Sequence, residues 1–196
     1  MSAPEVVRAL LPSSPQPKLA EVLAAVRQLE QLDFSWPHRA RVRVLRNFTC
    51  DQLAPLLRLE GYRRLLHLDV EFGDYDTYAQ EILDPASPTR RAPHDLIVLA
   101  LWLDHLSFAF DANQALQVEA VLDHLRAQVA LLRQHTSSLI AINTFLRPIH
   151  SVDPRDAATL ARLNAGVHEL AGHDGRVLVV DFGEIVESVG RGAAVD

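Results

Sequence analysis

Asp95-Leu96-Ile97-Val98-Leu99-Ala100-Leu101-Trp102 decides the fold. Leu96 to Trp102 is a continuous apolar run with no polar position facing out. A strand buried on both faces reads this way, and such strands belong to parallel sheets covered by helices. Working outward, similar segments recur on both sides. Arg41 to Arg46 is a short strand built on Val42, Val44 and Leu45. His67 to Phe72 alternates, with Leu68, Val70 and Phe72 on one side. Leu139 to Phe145 and Arg176 to Phe182 supply two more strands.

Helical segments separate them. Asp51 to Leu66 reads as a helix, with Asp51 as N-cap and Pro55 inside the first turn. Tyr75 to Leu83 is a short helix stopped by Pro85. Asn113 to Gln134 is the longest, with Leu116, Val118, Val121, Leu122, Leu125, Val129 and Leu132 at helical spacing. Pro154 to Ala171 opens on the Asp153-Pro154 signal. Glu184 to Val189 closes the series before Gly190-Arg191-Gly192. Before the first strand, Lys18 to Leu32 repeats apolar residues every three or four positions, and Trp36-Pro37 breaks it. Met1 to Pro17 holds four prolines and three serines and reads as a loose arm. The expected organisation is an N-terminal arm and helix over 1–40 and an α/β domain over 41–196.

Five strands with intervening helices make a parallel sheet through right-handed crossovers. By analogy the strand order is 2-1-3-4-5, a flavodoxin-like or SGNH-like three-layer sandwich. The 196 residues suit one domain of this size. Aliphatic content is high and the formal net charge is only -6, which excludes a disordered chain. The longest purely apolar run, Leu96 to Leu103, is too short to span a bilayer. The pI near 5.8 argues against broad nucleic-acid binding. No basic n-region precedes an apolar stretch, and Cys50 is the single cysteine, so the expected setting is the cytoplasm.

Ligands of such sheets bind at the carboxyl ends of the strands. The residues delivered there are Asn47, Thr49 and Cys50, then Gly73, Asp74 and Asp76, then Trp102, Asp104 and His105. Asn143 and Thr144 follow, then Asp181 and Glu184. Loops in α/β proteins are polar in any case, and Asp and Asn cap helices, so the rim marks a cleft more firmly than any one residue marks chemistry. No P-loop, dinucleotide fingerprint or G-x-S-x-G elbow is present. His168-Glu169 and His173 lack the i, i+4 spacing of a zinc helix. No metal or other cofactor is expected.

Several segments resemble the FkbH-like family. Val44-Leu45-Arg46-Asn47-Phe48-Thr49 and Leu53-Ala54-Pro55-Leu56-Leu57 are similar to its opening. Gly73-Asp74-Tyr75-Asp76-Thr77-Tyr78-Ala79-Gln80-Glu81-Ile82-Leu83-Asp84-Pro85-Ala86-Ser87 is the most specific match, and Asp95 to Leu101 and Val179-Val180-Asp181 also fit. The resemblance covers roughly Arg41 to Gly190 and falls on the family's N-terminal, SGNH-hydrolase-like part. It implies a system that loads a glyceryl or related acyl unit from an acyl phosphate, 1,3-bisphosphoglycerate, onto an acyl carrier protein in polyketide-type biosynthesis. It also implies a haloacid-dehalogenase-type phosphatase domain as partner. Asp181-Phe182-Gly183-Glu184 lacks the second aspartate of the phosphatase motif, so that activity and its Mg²⁺ are not expected in these residues.

The SGNH comparison places Thr49 where a nucleophilic serine would stand and Gly73 where a backbone N–H would face an oxyanion. Trp102-Leu103-Asp104 lacks the asparagine of the third block, and no Asp-x-x-His follows the fifth strand. Cys50, opening a helix, is the sharper candidate: a helix dipole would lower its pKa and let the thiolate carry an acyl group. Against this, a lone cysteine is commonly a small buried apolar residue. The candidate set is therefore Cys50 and Thr49 for catalysis, with Asn47, Gly73, Asp74, Asp104 and Asn143 for substrate. Two other readings stay open. One is a non-catalytic module that docks an acidic carrier protein through Arg58, Arg63, Arg64, Arg90 and Arg91. The other is a small-ester hydrolase.

Overall fold

The computed structural model describes residues 3–14, 17–32, 35–146 and 155–189. The Asp153-Pro154 helix start and the Gly190-Arg191-Gly192 stop lie outside the described residues. Five strands, β1 (His38–Arg46), β2 (Leu66–Phe72), β3 (Leu96–Ala100), β4 (Leu139–Asn143) and β5 (Val177–Val180), form one sheet in the order β2-β1-β3-β4-β5. Every pairing is parallel. On one face of β3, Ile97 and Leu99 are fully buried; on the other, Leu96 and Val98 are only partly buried, packed against the cluster of Val42, Val44 and Val70.

Eight helices accompany the strands among the described residues: α1 (Ala3–Leu10), α2 (Leu19–Glu30), α3 (Leu53–Arg63), α4 (Tyr78–Leu83), α5 (Pro88–Arg91), α6 (Val118–His135), α7 (Arg155–Gly172) and α8 (Phe182–Val189). One core packs Leu45, Ile97, Leu99, Ile140 and Ile142 of the sheet against the apolar stripes of α4, α6 and α7. Each fully buried aliphatic side chain there contributes about 1.5–3 kcal/mol. On the other face, Val42, Val44 and Val70 pack against Ala54 and Leu57 of α3. That cover fades towards β5: Leu139 is 42% exposed and Leu178 46% exposed.

The opening residues are not a loose arm throughout. Helix α1 sets Val7 into a third cluster with Val22, Val26 and Leu29 of α2 and Leu59 of α3. Trp36 stacks on Tyr62 there, ring centroids 4.5 Å apart. Prolines near the chain start signal a break, but one buried valine suffices to dock a short helix.

Element boundaries move for local reasons. Asp51 does not cap α3; its carboxylate pairs with Arg46, and α3 starts two residues later. Leu65 takes a left-handed φ of 57°, which ends α3 and lets β2 begin at Leu66. Helix α6 starts at Val118 rather than Asn113. Asp111 Oδ1 accepts the N–H groups of Asn113 and Ala115, and Phe110 bridges Leu116, so these residues fold into a turn. Arg133 fastens α6 to the sheet: Nε donates to Asp174 at 2.6 Å, Nη1 to Ser138 O at 2.6 Å and Nη2 to Arg176 O at 2.7 Å.

Candidate functional site

At the carboxyl edge, strands end and main-chain groups need new partners. Three asparagines supply them. The Asn47 side chain accepts from Trp102 N–H at 2.6 Å and donates to Trp102 O at 3.0 Å. Asn143 does the same to Leu101 at 2.9 Å for both bonds, and also donates to Thr144 O. Asn164 of α7 repeats the pattern on Phe145 at 2.8 and 2.9 Å. Asn47 is fully buried and Asn143 is 4% exposed. Their amides extend the sheet's hydrogen bonding beyond its last strand residues.

Gly73 is committed too. Its N–H bonds Val44 O at 2.8 Å, so the expectation of an outward oxyanion donor is corrected. What Gly73 provides is space. A Cβ there would meet Glu81 Oε2 at 2.6 Å and Leu45 Cδ2 at 3.1 Å. Glu81 is bound to Arg43, whose Nε and Nη2 lie 2.8 and 2.6 Å from its Oε1, and to the Thr89 hydroxyl. Arg43 also reaches Glu71 at 3.4 Å. The Arg43–Glu81 pair is buried on both sides, a network that sequence reading passed over because each charge alone looks like a solvated surface residue.

Cys50 is buried at 7% exposure among Val42, Val44 and Val70. Burial pushes its thiol pKa up, although the Arg46 guanidinium beside it pulls the other way. This corrects the expected helix-dipole activation: α3 starts only at Leu53, and desolvation wins. Arg46 meanwhile pairs with Asp51, donates to Gly73 O at 3.3 Å and sits 4.9 Å over the Phe72 ring. The hydrogen bond from Arg46 holds the Asp51 carboxyl below the usual carboxylate range. Thr49 is exposed, and makes no hydrogen bond to a histidine among the described residues.

Asp74 is exposed and Asp104 half-buried, and neither carboxylate has a hydrogen-bond or ion-pair partner among the described residues. Their sequence neighbours Tyr75 and His105 meet each other. His105 Nδ1 lies 2.8 Å from Asn47 O and 3.1 Å from Tyr75 Oη. A carbonyl only accepts, so Nδ1 carries a proton and Nε2 is the ring nitrogen left for another partner. Nearby in sequence, the Phe48 and Trp102 rings meet at a tilt, centroids 5.8 Å apart. His105 was legible as a residue just past β3; its partners were not.

At the β4–β5 end, Thr144 Oγ1 donates to Asp181 Oδ1 at 3.1 Å and accepts from Phe182 N–H at 2.9 Å. Asp181 Oδ2 lies 3.3 Å from His168 Nε2. The residue types resemble a triad, but the hydroxyl is fully buried and bonded to the acid, not to the histidine. Main-chain N–H bonding, first from Glu184, holds the Asp181 carboxyl low. His173 Nδ1 bonds Glu169 O at 2.6 Å, and no cluster able to hold a metal occurs among the described residues.

The arginines expected to meet an acidic carrier are mostly occupied. Arg58 pairs with Glu30 at 3.2 Å, Arg63 and Arg64 both pair with Glu60, and Arg90 donates to Leu83 O at 2.9 Å. No described helix is long and apolar enough to cross a membrane.

No protein-family model matches the chain, and no curated protein matches its sequence. Its structure is similar to the crystal structure of the N-terminal part of protein BF1531 from Bacteroides fragilis, which contains a phosphatase domain and is complexed with Mg, at a TM-score of 0.73 and 15% identity. The likeness covers 90% of this chain and 48% of that one, so this chain spans about half the length of its structural neighbour. At that identity the likeness establishes the fold: an α/β sandwich with a five-stranded, all-parallel sheet, shared with part of a phosphatase-containing protein.

Proposed function

We propose that this chain is the SGNH-like module of an FkbH-like acyl-transfer system, and that it binds rather than makes bonds. In this reading the carboxyl edge holds the hydroxylated acyl unit, with Tyr75, His105, Asp74 and Asp104 at the contact. A haloacid-dehalogenase-type phosphatase domain acts as its partner. The chemistry is transfer of a glyceryl unit: the carrier thiol attacks the carbonyl of the acyl phosphate, a thioester forms, and the bond to phosphate breaks.

One observation carries the non-catalytic part. The groups a hydrolase would use at this edge are spent on the fold: the Asn47 and Asn143 amides, the Gly73 N–H, the Thr144 hydroxyl and the buried Cys50. A nucleophile needs an adjacent base and an accessible attack path, and Cys50 and Thr49 each lack one of these. The shared architecture with a phosphatase-containing protein supports the choice of partner.

Intact-protein mass spectrometry tests the proposal. Acyl carrier protein and 1,3-bisphosphoglycerate are incubated with this chain, with a separately supplied phosphatase-type domain of the family, and with both. The expected result is a glyceryl increment on the carrier only when both are present, unchanged by Cys50→Ala. A glyceryl adduct on this chain that disappears in Cys50→Ala overturns it. So does carrier charging without this chain, or no charging with both.

A further inference from the structure

At the amino edge of the sheet, opposite the carboxyl edge described above, a cavity of about 350 Å³ opens between the starts of β1 and β2 and the α5–β3 connection. Its wall includes Arg39, Arg41, His67, Asp69, His94 and Asp95. Arg39, Arg41 and Arg43 recur at every second position of β1, so they leave the strand on one side. Their surroundings differ. Arg43 is engaged by Glu81 and Glu71. Arg39 and Arg41 are exposed, and neither guanidinium has a hydrogen-bond or ion-pair partner among the described residues.

This is so even though two carboxylates line the same cavity. Asp69 stands beside Arg41 in the β1–β2 ladder, and Asp95 Oδ2 is taken by the Arg41 main-chain N–H at 2.7 Å. The Asp95 N–H in turn donates to Arg41 O at 2.9 Å, so the two main chains hold the cavity rim in register. His94 is fixed against Pro88 O at 3.2 Å. A pair of uncommitted guanidinium groups on a rigid strand is suited to the oxygens of a phosphate, which they can grip by two parallel hydrogen bonds each. The neighbouring carboxylates cancel the formal charge of the two arginines. That disfavours polyanions, and it supplies acceptors for hydroxyl groups.

We propose that this cavity is a binding site for a small phosphate monoester that carries hydroxyl groups, its phosphate held by Arg39 and Arg41 and its hydroxyls by Asp69 and Asp95. The site is separate from the carboxyl edge and does not depend on the carrier-protein reading.

The test is a backbone-amide NMR titration of the full chain at constant ionic strength, with ribose 5-phosphate and with inorganic phosphate as probes. Saturable shifts are expected around residues 39–41, 67–69 and 93–95, with ribose 5-phosphate the tighter ligand. Arg39→Gln and Arg41→Gln each weaken binding about tenfold. Arg126→Gln, an exposed control on α6, leaves it unchanged. Asp69→Asn narrows the preference for the sugar phosphate over inorganic phosphate. Because both arginines are exposed, their variants keep the wild-type amide spectrum elsewhere, which separates lost binding from lost folding. Absence of saturable shifts in these segments, or wild-type affinity in the Arg39→Gln/Arg41→Gln double variant, overturns the site.

Discussion

The Asn47 side chain grips the main chain of Trp102 from both sides, accepting its N–H at 2.6 Å and donating to its carbonyl at 3.0 Å. The bonds tie the end of β1 to the loop after β3 across the point where the sheet's connections change direction. Asn47 O also holds His105 at 2.8 Å, so one buried residue positions the polar rim of the candidate site. Asn47→Ala strands both Trp102 groups and is expected to cost about 2–4 kcal/mol in urea unfolding. Asn47→Asp costs at least as much, because a carboxylate cannot donate to Trp102 O. A loss below about 0.5 kcal/mol for Asn47→Ala, the lower end for a hydrogen bond, would refute this role.

Arg43 and Glu81 form a pair whose side chains are each 9% exposed. Removing one partner leaves a buried charge, so Arg43→Ala is expected to lose about 3–5 kcal/mol. The double change Arg43→Met/Glu81→Leu recovers most of that loss, since apolar replacements need no partner. Gly73→Ala presses a methyl group against Glu81 and costs about 1–3 kcal/mol. Denaturation midpoints of the four proteins check the ranking; equal stability of Arg43→Ala and wild type would contradict it.

Cys50 is expected to react slowly with a thiol reagent at neutral pH and to become fast only on unfolding. Its raised pKa means that the folded state keeps the proton more firmly than the unfolded chain. The linked stability is therefore present at neutral pH and falls as pH rises past the ordinary value of 9.0 towards the folded-state value. Cys50→Ala removes that alkaline slope. Rapid, stoichiometric labelling of the native protein would show an accessible thiolate instead.

His124 bonds Tyr78 Oη at 2.8 Å and packs 4.7 Å from the Phe108 ring. Burial lowers its pKa from the ordinary 6.5, and burial also pushes Tyr78 up to about 12. His67, beside Trp36 and Tyr62, is lowered by burial as well. A depressed histidine stabilises the fold above its unfolded pKa, and that contribution is lost as pH falls below about 6.5 towards the folded value. Thermal unfolding between pH 7 and pH 5 is expected to show declining stability, with a shallower decline in His124→Gln. An identical decline in the variant would assign the effect to other groups.

Periodicity determined the fold class, a parallel sheet with intervening helices, while the strand order rested on analogy. Leu96 to Trp102 has no polar face, so its segment lies inside a covered parallel sheet, and the alternation of strand and helix segments leaves few ways to connect it. The same local logic placed Asn47, Gly73, Asp104 and Asn143 at the carboxyl edge, because a residue's position after a strand is a one-dimensional fact. What those residues do there is not. Whether an asparagine meets ligand or the main chain of Trp102, 55 positions away, depends on which strands become neighbours. Helix starts slipped for the same reason: Asp51 has the chemistry of a cap, but Arg46 claims its carboxylate once β1 and α3 fold together. Cys50 makes the division plainest. Sequence set it between a strand and a helix, where a dipole would activate it. Only packing against Val42, Val44 and Val70 decided that desolvation outweighs any such field, because the cost of burying a charge depends on all the atoms that replace water around it.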